Sequence, residues 1–300
     1  MKPAILLVFL MLGLLHCNRH ESSNEYVHAI KRWQEKRNQE LRDTTGWLAL
    51  EGLYWLKEGR HPFGSSSDQT YVFPKDFPAY AGFFELNASG EMTISLKDPS
   101  FEVMVNEQLI TTTTRLEPDY PGPPTLMRHY KWLFYPISRS EGKAIRLINT
   151  QSQKLKQFSG MEFFPIDPDW KIPARFEAFD TLKTLAVPTV LGSMRAEPWP
   201  GNLVFSYQGT TYKLAPTSNP ADKEWFIVFS DQSNGNTTYG GGRFLYVQQP
   251  DSSGNTILDF NQAYSPPCLF SIHATCPLPP AVNRLPFEIP AGEKADLENH

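Results

Sequence analysis

Proline is distributed along most of this chain, and that distribution limits the secondary structure that the chain can form. All but one of the 26 prolines lie between positions 62 and 290, and 13% of the residues are aromatic. Proline has no backbone N–H, so it interrupts helix interiors and the central strands of sheets. The sequence therefore predicts a mainly β fold of short strands and turns.

Length and charge narrow the class of protein further. The chain has 300 residues, of which 40% are hydrophobic and 20% charged, so it can bury a sizeable core in one large or two smaller domains. The net charge is −4, and basic and acidic residues are interspersed without a polybasic run. No nucleic-acid partner is expected from such a distribution.

The first 17 residues read MKPAILLVFLMLGLLHC. The apolar run from Ala4 to Leu15 is too short to span a bilayer as a stable helix, so residues 1–16 are predicted to be a secretory signal peptide. The segment ending at Cys17 resembles the bacterial lipoprotein signal, in which the cysteine is acylated. His16 departs from that pattern, because a small residue normally precedes the cysteine.

This resemblance implies a location and one partner. Cys17 would carry lipid and attach the mature chain to a membrane, with residues 17–24 as a polar tether. The chain is then expected in the cell envelope, in the periplasm or on the outer surface. Apart from the membrane, the sequence specifies no ligand or protein partner, and no motif specifies a cofactor.

Residues 25–42 are predicted to form an amphipathic helix. Ser22 and Glu25 have the spacing of a capping box at its start. Basic and acidic residues are mixed on the polar side, which indicates a solvated face rather than a membrane-surface helix. The apolar positions share one face at helical spacing: Tyr26, Ile30, Trp33 and Leu41.

The segment that follows alternates between short strands and turns, which is typical of a β-sandwich. With the helix it defines a predicted N-terminal domain over residues 25–155. Gly59–Ser65 and Val103–Asn106 faintly resemble the forkhead-associated domain, a β-sandwich that binds phosphothreonine. The Ser-x-x-His element of that family is absent between Phe73 and Gly90. The predicted strands of this part are Thr70–Phe73, Gly82–Leu86, Met92–Leu96, Glu102–Val105, Gln108–Thr113, Tyr130–Ile137 and Lys143–Ile148.

A second β domain is predicted over residues 156–293, followed by a tail at 294–300. Asn202–Tyr207 and Thr211–Leu214 are expected to pair as a hairpin across residues 208–210. The continuous apolar run of Trp225–Phe229 indicates a strand that is covered on both faces. The other predicted strands are Trp170–Phe179 and Lys183–Val187.

Polar residues near the C-terminus form a candidate site. Asp259 and Asn261 are two residues apart at a predicted strand end, so they should share a face and could combine with Arg243. A buried structural ion pair of Arg243 and Asp259, with Asn261 starting a turn, is an equal alternative. The glycine triplet 240–242 before Arg243 indicates a turn into a strand rather than a phosphate cradle, because no P-loop lysine follows.

Cys268 and Cys276, with His273 between them, allow three interpretations. A disulfide is favoured in an exported protein and would contribute roughly 2–3 kcal/mol by the loop-entropy estimate. A structural zinc site usually needs four ligands, and this spacing supplies three. A Cys–His nucleophile would require the thiol to stay reduced.

Several groups of residues between Trp33 and Glu293 form a recognisable pattern: Gly46–Leu48 with Leu53–Leu56, Phe163–Pro165, Trp170 with Ala174–Phe176, Val190–Gly192, Tyr239 with Gly242–Phe244, Asp259–Asn261, Tyr264–Cys268, Cys276–Pro280 and Asn283–Leu285. In these residues the chain resembles the bacterial and archaeal family known as domain of unknown function 1684. The resemblance implies a shared fold and a shared C-terminal feature, without a settled chemistry. The candidate polar site from this stretch comprises Tyr239, Arg243, Asp259, Asn261, Tyr264 and His273.

Two functions from different classes follow from these features. The leading hypothesis is an envelope lipoprotein that acts as a binding or structural β module, with its polar cluster holding a small ligand or a partner. The alternative is a hydrolytic or metal-assisted enzyme that uses Asp259 or His273 as acid or base. Phosphopeptide recognition by the N-terminal sandwich is a third hypothesis.

Overall fold

The computed structural model describes residues 24–98 and 100–295, which divide into two compact units. The middle unit comprises residues 41–158 with 270–274. The flanking unit comprises residues 24–40, 159–269 and 275–295. Strands account for 42% and helices for 14%, so the predicted mainly β fold with one N-terminal helix is confirmed. The predicted signal peptide, Cys17 and Ser22 lie outside the described residues.

Helix α1 covers residues 24–41, close to the predicted 25–42. Ile30 on its apolar face is 2% exposed, and the Trp33 ring packs edge-on against Phe163 at 6.2 Å between centroids. Residues 24–40 group with the flanking unit, although the sequence analysis assigned them to the N-terminal domain. The helix is held by side chains more than 200 positions later in the chain, which local patterns do not reveal.

The helices within residues 24–98 and 100–295 are all too short or too polar to span a bilayer.

The middle unit contains two antiparallel-rich sheets. Its elements are β1 (Leu50–Leu56), β2 (Gly59–Gly64), β3 (Tyr71–Val72), β4 (Gly82–Leu86), β5 (Met92–Leu96), β6 (Met104–Val105), β7 (Gln108–Leu109), β8 (Thr114–Leu116), β9 (Met127–His129), β10 (Trp132–Arg139), β11 (Gly142–Asn149) and the short helix α2 (Gln153–Gln157). The six-stranded sheet has the order β1-β11-β10-β9-β6-β7, and the five-stranded sheet has the order β3-β2-β4-β5-β8.

Both sheets of the middle unit contribute to one core. Phe63 and Phe84 come from the five-stranded sheet and stack at 4.5 Å between ring centroids. Phe134 of β10 is fully buried in the same cluster and contacts Phe73 edge-on at 6.2 Å. Large rings that meet from two sheets are the packing of a β-sandwich.

The flanking unit contains the strands β12 (Lys171–Pro188), β13 (Met194–Tyr207), β14 (Thr210–Leu214), β15 (Glu224–Phe229), β16 (Arg243–Gln248) and β17 (Asn255–Asp259). They form a four-stranded sheet in the order β14-β13-β12-β17 and a two-stranded sheet of β15 with β16. Apolar side chains from both sheets share a second core, which includes Leu203, Phe229 and Phe260.

Strands β12 and β13 are longer than the sequence predicted. The two segments predicted at 170–179 and 183–187 form one strand, with an irregular register between Ala178 and Lys183. Exposed polar residues at this irregularity hide the continuity, since they break the apolar alternation. The predicted hairpin at 208–210 closes with Gln208 and Gly209, both at positive φ (48° and 76°), which suits a tight two-residue turn.

Candidate functional site

The predicted cluster of Arg243 with Asp259 is not formed. Arg243 is 0% exposed, and its Nη2 donates to Asp231 Oδ2 at 2.6 Å. The guanidinium also donates to the backbone carbonyls of Ala291 and Ile289. Arg243 therefore has a structural role, and its carboxylate partner is Asp231 rather than Asp259.

The glycine before Arg243 is also structural. Gly242 has φ of 88°, and a Cβ there would lie 2.4 Å from Pro279 Cγ and 2.6 Å from the Phe229 carbonyl oxygen. Only glycine fits this close approach without displacement. The turn predicted for residues 240–242 is thus explained by packing.

Asp259 and Asn261 are adjacent but have different environments. Asp259 ends β17 and accepts a hydrogen bond from the Asn261 backbone N–H at 3.2 Å, so its side chain caps the 3-10 turn Phe260–Gln262. Asn261 is buried and exchanges two hydrogen bonds with the Asp167 backbone, at 3.0 and 2.8 Å. The expected pleated-strand arrangement of the pair is wrong, because the chain leaves the strand between them.

Tyr26 of α1 completes this network. Its hydroxyl donates to Asp259 Oδ1 at 2.8 Å and accepts from Asn261 Nδ2 at 2.9 Å. Burial, followed by the negative charge of Asp259, raises the pKa of Tyr26 well above its usual value of 10.0. The tyrosine therefore stays a neutral hydrogen-bond donor and ties α1 to the end of β17.

The other predicted site residues are divided between the units. Tyr239 and Tyr264 belong to the flanking unit, and burial raises the pKa of each phenol. His273 belongs to the middle unit, where burial, followed by the charge of Lys154, lowers its pKa below 6.5. A single site built from all six predicted residues is not present in either unit.

Cys268 and Cys276 form a disulfide with 6.1 Å between their Cα atoms. This is the first of the three interpretations of the cysteine pair. The zinc and Cys–His alternatives both need a free thiolate, which a disulfide does not offer. In the described part of the chain, no cluster of three or more His, Cys, Asp or Glu side chains could hold a metal ion.

The forkhead-associated resemblance centred on residues 59–65. Arg60 lies on β2, where its Nε donates to Glu85 Oε2 at 3.1 Å, and the His61 ring is 2.7 Å from the Lys57 carbonyl oxygen. These contacts stay within the middle unit. Phosphopeptide recognition by this unit stays a prediction.

A groove of about 660 Å³ lies within the flanking unit, between α1 and the ends of several strands. One wall is the face of α1 that carries Tyr26, Trp33 and Arg37. These positions recur at helical spacing, so they point the same way. The opposite wall includes Lys171, Tyr246, Ile257, Asp259 and Tyr264.

Strand register brings the polar part of the groove together. Lys171 at the start of β12 is directly opposite Asp259 at the end of β17. The Lys171 ammonium lies over the Tyr26 ring, 4.8 Å from its centroid, which is the geometry of a cation–π contact. Among residues 24–98 and 100–295, no carboxylate forms an ion pair with Lys171 within 4.0 Å.

Aromatic rings form the other part of the groove. The rings of Tyr246 and Tyr264 are nearly parallel, with 14° between their planes and 6.3 Å between centroids. The Arg37 guanidinium lies 4.7 Å from the centroid of Tyr264. Tyr246 is 51% exposed, so one face of this stack is available to a ligand.

A buried ion pair fixes α1 as the wall of the groove. Arg37 Nε donates to Glu293 Oε1 at 2.8 Å, and Arg37 Nη2 donates to the Ser265 carbonyl at 3.1 Å. Glu293 Oε2 accepts from the Ser265 backbone N–H at 2.7 Å. Charged groups held in this way define one position of the helix against the sheet.

Sequence reasoning found Asp259 and Tyr264 but missed most of the groove. From the sequence alone, Tyr26 belongs only to an apolar helix face. No local pattern marks Lys171 or Tyr246 as groove residues, or Glu293 as the partner of Arg37. Tyr26 and Asp259 are 233 positions apart, so no local spacing connects them. The one available signal was a tyrosine among aliphatic residues on the helix face, because a buried hydroxyl needs a partner.

Comparison with known proteins gives a family match for residues 156–294. Residues 156–294 match the family described as "Protein of unknown function (DUF1684)". An uncharacterized protein of Haloarcula marismortui, known from a solution NMR structure, is 32% identical; the alignment covers 49% of this chain and 82% of that chain, with a TM-score of 0.41. The match to this family therefore covers the last part of the chain and begins at residue 156, later than the predicted Trp33.

Other comparisons add no functional information about this protein. A crystal structure of Rad53 residues 1–466 in complex with AMP-PNP aligns at 10% identity with a TM-score of 0.18, covering 68% of this chain and 48% of that chain. A likeness of this size supports no conclusion about fold or function. No curated protein matches the chain.

Proposed function

We propose that this protein is a binding module that holds a small ligand in the groove between α1 and the strand ends of the flanking unit. The observation that carries the proposal is the groove itself. Its volume of about 660 Å³ falls in the range of roughly 300–1,000 Å³ that is usual for small-molecule sites. Aromatic faces with a few convergent polar groups are also the usual lining of such sites.

Binding is favoured over catalysis by the state of the polar groups. Asp259 accepts hydrogen bonds from Tyr26, Asn261 and Gln262, so its carboxylate oxygens are already engaged within the protein. Arg243 is engaged in a buried ion pair with Asp231. His273, the other candidate acid or base, belongs to a different unit. The groove can therefore orient a ligand, and we place the enzyme alternative second.

Filling the groove should abolish ligand binding. Ala29 is an exposed α1 residue that lines the groove, so Ala29→Trp places an indole where a ligand would lie. A fragment panel screened by saturation-transfer NMR against the full chain should give hits whose affinity falls at least about tenfold in this variant. Glu35→Trp, at an exposed α1 position outside the lining, is the matched control and should keep the hits.

Two results would contradict the proposal. The first is a panel in which no fragment binds at millimolar concentration. The second is a set of hits whose affinities are the same in the wild type and in Ala29→Trp, since those fragments would bind elsewhere.

We also propose that the chain is an envelope lipoprotein acylated at Cys17, as its N-terminal resemblance implies. Cells that express the full chain and grow with an alkyne fatty acid should incorporate the label into the protein, and Cys17→Ala should remove the label. The variant should then leave the membrane fraction. Equal labelling of both chains, or labelling of neither, would overturn this proposal.

A further inference from the structure

We infer that the groove selects an organic anion, with a carboxylate or phosphate group held by Lys171 and a flat apolar body lying against Tyr246. This inference deepens the proposed ligand-binding function and rests on it. It assigns a chemical class to the ligand and a role to Lys171.

The charged side chains of the groove differ in whether another protein group already pairs their charge. Three acids and three basic residues line it, so the formal charges cancel. Glu224 accepts from Gln248 at 2.7 Å, and Glu40 pairs with Lys36 at 3.7 Å. Because the Gln248 amide is uncharged, Glu224 remains an acid without a cation partner, together with Asp259, and the remaining bases are Arg37 and Lys171.

Arg37 and Asp259 are both occupied by groups of the protein. Arg37 pairs with the buried Glu293 at 2.8 Å. Asp259 is only 9% exposed and accepts from three side chains, those of Tyr26, Asn261 and Gln262. These donors are uncharged, so they occupy the oxygens of Asp259 without pairing its charge.

Lys171 is therefore the charge that a ligand can use. It is exposed at the start of β12 and has no carboxylate within ion-pair distance among the described residues. Its contact with the Tyr26 ring orients the ammonium along the groove while leaving its donors available. An anionic group of a ligand would supply the missing charge-assisted hydrogen bond.

An apolar surface lies in the same groove as Lys171. Tyr246 and Ile257 are 51% and 44% exposed, and both line the groove. The Tyr246 ring packs against both Tyr264 and Phe226, with ring centroids 6.3 and 5.1 Å away, so its position is fixed while half of the residue stays exposed. Aromatic rings prefer offset stacking with another flat group. A ligand that combines an anionic group with a flat apolar body uses both features.

Four probes separate the parts of this inference: 2-naphthoate, 2-naphthyl phosphate, the neutral 2-naphthamide and inorganic phosphate. In calorimetric titrations of the full chain, at least one naphthyl anion should bind about tenfold more tightly than the amide, since one charge-assisted hydrogen bond is lost in the amide. Inorganic phosphate should bind more weakly than the naphthyl anion, because it lacks the apolar body. Comparison of the carboxylate with the phosphate ester identifies the preferred anion.

Lys171→Gln tests the residue itself. This variant should lose the preference for the anion over the amide, whereas Lys213→Gln should keep it. Lys213 is the matched control because it is a half-exposed lysine of the same unit, paired with Glu177 and outside the groove. The preference should also decrease as the salt concentration rises.

The outcomes distinguish this inference from the proposal on which it rests. Equal affinity for anion and amide, an unchanged preference in Lys171→Gln, or inorganic phosphate binding as tightly as the naphthyl anions would overturn it. Suppose that neutral fragments bind the wild type and lose affinity in Ala29→Trp, whereas the naphthyl anions do not bind. The inference about the anion then fails, and the ligand-binding function stands. If no probe and no panel fragment binds, both fail.

Discussion

Asp231→Asn is expected to lower the free energy of unfolding by about 3–5 kcal/mol, because it leaves the Arg243 guanidinium as an uncompensated buried charge. Both side chains of the pair are 0% exposed, and 2.6 Å separates Arg243 Nη2 from Asp231 Oδ2. The carboxylate also accepts from the backbone N–H groups of Ser233 and Ile289, so it connects three segments. Burial lowers the pKa of Arg243, and the charge of the Asp231 carboxylate opposes that shift.

Glu177→Gln is the matched control for this variant. It removes the carboxylate of the Lys213–Glu177 pair, which has a similar distance of 2.7 Å but is half exposed. An exposed pair is worth less than about 1 kcal/mol, so the control should unfold nearly as the wild type does. The free energy of unfolding of both variants is measured by urea denaturation, with hydrogen exchange over residues 243–248 as the readout. A loss below about 1 kcal/mol in Asp231→Asn would show that the charge of Arg243 is compensated by other groups.

Arg37→Ala should be the second most destabilising change, with a loss of about 3 kcal/mol at neutral pH. It leaves Glu293, whose side chain is 0% exposed, without its cation. It also removes the guanidinium from the face of Tyr264 and frees one end of α1. Arg32→Ala, at an exposed position of the same helix, should change stability by less than about 0.5 kcal/mol.

The loss in Arg37→Ala should depend on pH in a defined direction. In the folded chain, burial raises the pKa of Glu293 above its ordinary value of 4.5, and Arg37 opposes that rise. A carboxyl with a raised pKa contributes stability that is present below 4.5 and is lost as the pH rises through the folded pKa. Removing Arg37 raises the folded pKa further, so the deficit should be larger at pH 8 than at pH 5. A deficit that is independent of pH, or equal in Arg37→Ala and Arg37→Ala/Glu293→Gln, would contradict this account.

Local patterns predicted the elements whose burial alternates along the sequence. Gly82–Leu86 and Met92–Leu96 were predicted with their observed bounds, because apolar and polar residues alternate there with the period of a strand. The helix at 24–41 was predicted from its apolar face. In these segments the side chains that pack on the core are also those that define the local period.

The candidate site could be predicted only in part, because its contacts are not local. Asp259 was found from its position at a strand end, but Asp231 and Asp259 are both plausible partners of Arg243 by composition, and only the packing selects Asp231. Arg37 and Glu293 are 256 positions apart. The chemistry of an ion pair determines which residue types can pair. The topology of the sheets determines which of several acidic residues actually contacts a given arginine.

The division of the flanking unit around the middle unit also has a consequence for synthesis. Helix α1 is synthesised before strands β12 to β17 and before Glu293, the partner of Arg37, all of which follow more than a hundred residues later. Nearly all of the middle unit is synthesised before these strands, so it can fold before the residues that contact α1 exist. A fragment confined to residues 156–294 would keep Glu293 and Asp259 but lose Arg37 and Tyr26. Such a fragment would present half of the groove and a buried carboxylate without its cation, so a fragment suited to folding and binding must begin before α1.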